Sequence, residues 1–333
     1  MKRIVLHIGS AKTGSTYIQK RLRLDADYVR SRGIFVPVLD EVKRIAGNAK
    51  LLAACLSKER TYDFKRAFPR IDPTVLDPQN LVDRLLANWQ PDNETVVLSA
   101  EDFRHFHAKT LKEMLPQDVE VTVVLFIRRQ DHWITSLYSQ WIKTGSFCGS
   151  MSDFLATLED PTTLRYRAPD WFRDYEVWMQ HFGSCQIVFF DEARDDLLGS
   201  FLTAAQLPDL PDLPQIDPQQ VRLSGHQIAY ILEAGRRYSG DAYHARRIIA
   251  RNTPPEEAVK LRLLSDVQLA KTKSDYQPSN EKLLAALARQ TDDPLLDIPT
   301  TLSPGMTLAQ VWQSEKYEAY KTDCELSLEA TGK

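Results

Sequence analysis

The side chains best equipped for chemistry stand directly after the first apolar run of the sequence, in the stretch HIGSAKTGSTYIQ, residues 7–19. Gly9 and Gly14 bracket four residues, as in the phosphate-binding loop G-x-x-x-x-G-K-[ST]. The lysine expected after the second glycine is replaced by Ser15, followed by Thr16, and the only lysine, Lys12, lies inside the loop. A glycine turn between strand and helix aims backbone N–H groups at an anion. Two hydroxyls and one ammonium add to them. Ser10, Ala11, Lys12, Thr13, Gly14, Ser15 and Thr16 are therefore candidate ligands of a phosphate-bearing donor.

A second group lies in FIRRQDHWITSLYSQW, residues 126–141. Arg128 and Arg129 end a strongly apolar run, Asp131 is a candidate N-cap, and Ser136 falls in the early turns of the helix that follows. An arginine at a strand end with a nearby serine makes a second anion site, so the two groups together suit a donor with phosphates in two places. A base must also take a proton from whatever accepts the transferred group. Glu101, just after the run TVVLS, is the first candidate, with His105 and His107 as alternatives. If EDFRHFHAKTLKEML is helical, Glu101 and His105 share a face at i, i+4. No third ligand accompanies the two histidines, so a metal site is not expected. His7, inside an apolar run, reads as a core histidine.

These residues need elements to position them. RIVLHIG (3–9), IFVPV (34–38), ETVVLSAEDF (94–103), VEVTVVLFIRR (119–129) and CQIVFFDEA (185–193) read as strands. Helices are expected at 15–32, 41–56, 79–89, 131–143 and 195–206, alternating with them. That alternation predicts an α/β fold, a parallel sheet flanked by helices, with ligands at the carboxyl ends of the strands. The proline-rich LPDLPDLPQIDP (207–218) closes a core spanning 1–206. Helical segments such as SGHQIAYILEAGRRY and TLAQVWQSEKYEAYK form a C-terminal elaboration over 207–333, within a single domain of 1–333. Trp171, Phe172, Tyr175 and Trp178 form a helical stripe expected to pack in the core, and KRLRLD (20–25) reads as a solvated helix face. HARRIIAR (244–251) is a further basic run of unassigned position.

Composition narrows the classes. The 333 residues are 43% hydrophobic and 26% charged, with a net charge of −3, which argues against a general nucleic-acid or anionic-membrane surface. No apolar run is long enough to span a membrane. The N-terminal apolar segment is too short for a signal peptide. Cys55, Cys148, Cys185 and Cys324 are scattered, without zinc or disulfide spacing, so a cytoplasmic location is expected.

SAKTGST after the first strand, with Arg128 and Ser136 eight residues apart, resembles the motifs of the sulfotransferases that use 3′-phosphoadenosine-5′-phosphosulfate (PAPS). SLYSQWIKTGSFCGSMSDFL and RDYEVWMQHFGSCQIVFFDEA are similar to segments of bacterial members. The resemblance covers residues 3–206 best and implies a P-loop NTPase-like sulfotransferase fold. It also implies PAPS as donor and PAP as product, with the loop on the 5′-phosphosulfate, Arg128 and Ser136 on the 3′-phosphate, and no required metal. Ser15 stands where threonine is commoner. Gln130–Asp131 replaces a proline-containing turn, which leaves Arg129 as an alternative to Arg128. The expected activity is transfer of a sulfuryl group to a hydroxyl of a glycan, glycolipid or small molecule. The rivals are a P-loop-type nucleotide kinase and a non-catalytic nucleotide-binding protein.

Overall fold

The computed structural model describes residues 2–9, 11–42, 45, 47–57, 64, 68, 70–72, 76–103, 105–160, 169–216, 223–237, 260–290, 293–300 and 305–329. Ser10 and the basic run 244–251 lie outside the described residues. In chain order the elements begin β1 (Arg3–Gly9), α1 (Ser15–Leu24), α2 (Ala26–Ser31), β2 (Ile34–Phe35), α3 (Lys50–Leu56), α4 (Pro78–Leu86), β3 (Thr95–Ala100), α5 (Ala108–Met114) and β4 (Glu120–Ile127). Then come α6 (Gln130–Thr144), α7 (Met151–Glu159), α8 (Trp171–Phe182), β5 (Cys185–Phe189), α9 (Phe190–Ala193), α10 (Leu197–Ala204) and α11 (Gly225–Arg237). The last are β6 (Leu261–Arg262), α12 (Asp266–Ala286), β7 (Met306–Thr307), α13 (Leu308–Trp312) and α14 (Glu315–Glu329).

The chain divides into two compact units that interleave in sequence. The first holds Met1–Arg129, Pro169–Gln219 and Pro278–Asp297; the second holds Gln130–Ala168, Gln220–Gln277 and Ile298–Lys333. The long helix α12 passes from one to the other at Pro278, a residue with no N–H to give to the helix.

The first unit is built on a five-stranded parallel sheet of order β2-β3-β1-β4-β5. Its strands are apolar at consecutive positions because both faces are covered. Ile4, Leu6 and Ile8 of β1 join one core with Leu51 and Leu52 of α3, Leu81 of α4, Leu111 of α5 and Trp171 and Trp178 of α8. Val5, Val97, Val124 and Phe126 join the opposite core with Ile18 and Leu22 of α1 and Phe201 of α10. The aromatic stripe of α8 is therefore core at Trp171 and Trp178, both fully buried.

The second unit is mainly helical, around Trp133, Phe154, Ile231, Val311 and Tyr317, with a two-strand parallel pair of β6 and β7. Inside it Glu233 accepts hydrogen bonds from the Tyr317 hydroxyl and, at 2.8 Å, from Lys321 Nζ. Burial, and after it the Glu233 carboxylate, push the Tyr317 hydroxyl pKa far above its ordinary value.

Three local expectations are corrected. The helix predicted over 15–32 breaks at Asp25, whose carboxylate caps α2 by accepting from Tyr28 N at 3.0 Å. The helix predicted over 41–56 is reduced to a 3-10 turn at Asp40–Val42 and to α3. KRLRLD is not wholly solvated: Arg21 is buried and donates to Tyr17 Oη, Gln215 Oε1 and the Leu213 carbonyl, while Arg23 donates to the Ile45 carbonyl.

Candidate functional site

Strand register sets the site. β1 pairs with β3 through Ile8 and Ala100, and with β4 through Gly9 and Phe126. The loop that leaves β1 is thus flanked by Glu101 on the β3 side and by Arg128 on the β4 side. The connection from β1 leads toward β2 at one edge of the sheet, and that from β4 leads toward β5 at the other. Adjacent strands whose connections diverge in this way leave a crevice at their carboxyl ends, the usual place for a ligand in such sheets.

Gly14 opens α1 in the left-handed region, with φ 86° and ψ 0°. It offers no side chain as a cap, so the leading N–H groups of α1 are directed at whatever lies before the helix. A Cβ on Gly14 would also stand 2.8 Å from Leu197 Cδ1. Lys12 is itself left-handed, with φ 74°, a conformation that costs a residue with a side chain about 1–2 kcal/mol. The hydroxyls of Thr13 and Ser15 are 3.5 Å apart and both residues are buried, whereas Lys12, Gly14 and Thr16 are partly exposed. Ala11 is half-buried.

On the β4 side, Arg128 stacks over the Phe190 ring, 4.7 Å from its centroid, with Nε 3.9 Å from Asp191 Oδ1. Its Nη1 comes within 3.5 Å of the Lys12 carbonyl oxygen. Its own carbonyl accepts from the Trp171 indole at 2.9 Å, which ties the end of β4 to the core. Arg129 points elsewhere and donates to the Pro294 and Asp297 carbonyls at 3.3 and 3.2 Å. Ser136 lies in the second unit, half-buried in the second turn of α6.

On the β3 side, Lys50 Nζ lies 3.9 Å from Glu101 Oε1 and 3.5 Å from Asp102 Oδ2. A small cavity of about 50 Å³ opens here, lined by Thr16, Gln19, Ile45, Gly47, Lys50, Ala100 and Glu101. Beneath it Gln19 Nε2 donates to Ser99 Oγ at 2.9 Å, and the same oxygen is 2.8 Å from His7 Nδ1. Asn48 holds the adjoining segment to β3 by accepting from Ser99 N at 2.7 Å and donating to the Val97 carbonyl at 2.8 Å. A larger groove of about 660 Å³ lies along β5 and α10 and shares no lining residue with this site.

No family model matches this sequence, and no curated protein is significantly similar to it. Among solved structures, one match is retinol dehydratase in complex with androsterone and the inactive cofactor PAP. The two are 14% identical with a TM-score of 0.31, over 69% of this chain and 63% of that one. This chain thus spans less than two thirds of that protein's length. So distant a likeness carries nothing about the site, which stands on its own residues.

The histidines separate cleanly. His7 is buried between the rings of Phe126 and Phe201, and burial pushes its pKa down to about 3. It is a neutral core residue, as its place in β1 predicts. His107 is buried with Nε2 2.9 Å from Ser57 Oγ. His105 is partly exposed, and its Nδ1 lies 2.8 Å from Asp174 Oδ1 of α8. The segment from Glu101 is not one helix: a turn at 101–102 precedes a 3-10 turn at His105–His107 and then α5. Glu101 and His105 therefore do not share a helical face, and the i, i+4 expectation is corrected.

Sequence reasoning missed Lys50, Gln19, Asp174, Phe190 and Asp191. The last two follow β5 and fall under the strand-end rule already used for Glu101 and Arg128. Lys50 reaches the site because its turn is tied to β3 by the Asn48 side chain and by the Ala49 N–H on the Ser99 carbonyl, and no spacing in the sequence signals that. Among the described residues, no group of three or more His, Cys, Asp and Glu side chains is placed to hold a metal ion.

Proposed function

We propose that the chain binds PAPS and transfers its sulfuryl group to an acceptor hydroxyl, and that the whole of 1–333 serves as one sulfotransferase of P-loop NTPase-like fold. One observation carries this reading. An uncapped helix start, a left-handed Lys12 and the stacked Arg128 converge at the carboxyl end of β1, with Glu101 on the opposite flank. The donor set suits an anion: backbone N–H groups at Gly14–Thr16, the Thr16 hydroxyl, an ammonium and a guanidinium. Backbone strain at Lys12 is the kind that functional loops retain.

In this reading the α1 amides hold the 5′-phosphate, and Lys12 neutralises the bridging oxygen that leaves with PAP. Arg128 binds the 3′-phosphate with Ser136, and Arg129, engaged by the Pro294 and Asp297 carbonyls, serves the fold. The sulfur–oxygen bond to the donor phosphate breaks as one to the acceptor oxygen forms. Glu101 takes the acceptor proton; His105, oriented by Asp174, is the alternative base. Most of the acceleration comes from positioning and charge stabilisation, by analogy with phosphoryl transfer. A sulfuryl group carries less charge than a phosphoryl group, so the chemistry has no need of a divalent cation. A glycan or glycolipid acceptor in a bacterial cytoplasm completes the reading.

The test is transfer from labelled PAPS to a pool of hydroxyl acceptors, with and without EDTA. Transfer that persists in EDTA is expected. An absolute Mg²⁺ requirement, or phosphoryl transfer from ATP in its place, contradicts the proposal.

A further inference from the structure

We infer that the notch at the end of β3 receives the reacting arm of the acceptor, and that its size and polarity select an unhindered alkyl hydroxymethyl group over a phenol. This rests on the donor reading above and adds the acceptor class to it. The notch is bounded on one side by Thr16, which closes the donor loop at the start of α1, and on the other by Glu101, the proposed base.

Size comes first. A cavity that takes up benzene measures about 150 Å³, so a space of about 50 Å³ is too small for a ring and suits a short group such as CH₂OH. An aromatic ring has six ring carbons before its hydroxyl is counted and does not enter. The walls are not easily moved. A Cβ added at Gly47 would stand 3.1 Å from the Ser99 carbonyl and 3.2 Å from Gln19 Nε2, so that side is already closed to within a methyl group. Gln19 is held in turn by its bond to Ser99, and Ser99 by His7 and Asn48. Ile45 supplies the apolar wall, and its truncation would widen the space without removing a polar partner.

Polarity comes second. A hydroxyl is both donor and acceptor, and the notch offers one partner of each kind. Lys50 carries three donors, and the Glu101 carboxylate has about four lone-pair sites. They stand 3.9 Å apart, near enough for one hydroxyl oxygen to receive a bond from Lys50 while its proton faces Glu101. Lys50 is held toward this position by Asp102 at 3.5 Å. It acts as a positioning residue: it orients the acceptor oxygen, and Glu101 takes the proton as the bond to sulfur forms.

The experiment uses the full chain with labelled PAPS, ethanol and 2-phenylethanol as hydroxymethyl acceptors, and phenol and 4-nitrophenol as aryl acceptors. PAP binding is measured in parallel by calorimetry. Both primary alcohols should be sulfated at least tenfold faster, per kcat/KM, than either phenol. Ile45→Ala should shift the ratio toward the phenols by at least tenfold, the scale of a removed methylene or more in a selecting pocket, with PAP affinity unchanged. Should Ile45→Ala fail to fold, Gly47→Ala tests the same wall by lowering alcohol turnover while PAP affinity holds. Lys50→Gln should raise the KM for the alcohols and leave that for PAPS in place. PAP binding accompanied by equal rates for phenols and alcohols, or by no sulfation of either alcohol, overturns the inference while sparing the donor reading. Failure to bind PAP overturns both.

Discussion

The two flanks of the loop after β1 are built from different materials. On the β4 side stand a guanidinium, an aromatic face and a carboxylate 3.9 Å away: Arg128, Phe190 and Asp191. On the β3 side stand a carboxylate pair, a lysine and a small space: Glu101, Asp102, Lys50 and the notch. A planar, permanently charged group stacked on a ring is suited to holding an anion and cannot exchange protons near neutrality. A carboxylate beside an ammonium is suited to moving a proton and orienting a neutral hydroxyl. Under the proposed function, the difference gives binding to one flank and chemistry to the other, with Lys12 between them.

That division can be broken by single substitutions. The largest effect is expected at Glu101. Glu101→Gln keeps the shape but not the proton acceptor, so transfer should fall about 10²–10⁴-fold while PAP affinity holds. An enzyme within a few-fold of wild type, beside an inactive His105→Ala, would move the base to the His105–Asp174 pair. Lys12→Ala comes next, with kcat about 10²–10³-fold lower and PAP binding much less affected, because its charge matters most when the bridging oxygen leaves. Normal turnover in that variant would remove Lys12 from the chemistry. On the other flank, Arg128→Ala should weaken PAP by about 1.5–3 kcal/mol in calorimetry and leave AMP affinity nearly unchanged.

Two smaller effects test the support beneath both flanks. Gly14→Ala must adopt φ 86° and displace Leu197, so urea denaturation should show a loss of about 1–3 kcal/mol. His7 has a folded pKa of about 3 against an ordinary value of 6.5, so the unfolded chain binds the extra proton between those values. Stability should therefore fall as pH drops below 6.5, by up to about 1.4 kcal/mol per unit until pH 3. Denaturation curves at pH 7 and pH 5 should differ by about 2 kcal/mol from this residue, and His7→Asn should flatten the dependence.

Much of the frame was legible in the sequence because burial on both faces leaves unbroken apolar runs. RIVLHIG and EVTVVLFI could hardly be anything else, and once the strands were placed, the strand-end rule led to Lys12, Glu101 and Arg128. What could not be read depended on contacts far apart in sequence. Lys50 comes to Glu101 through the Asn48–Ser99 pairing, and His105 meets Asp174 across 69 residues. Arg21 is buried only because residues 213–215 return to cover it. The break at Asp25 was within reach, since aspartate is a favoured N-cap residue and its carboxylate takes the Tyr28 N–H.

The central claim is that the β4 flank recognises a second phosphate on a nucleotide whose first phosphate lies at α1. Titration calorimetry of the wild-type chain with PAP and with AMP, at one salt concentration, tests it most directly. The account predicts that PAP binds at least tenfold more tightly, the 3′-phosphate being held by a charged contact. Equal affinities for PAP and AMP would contradict it.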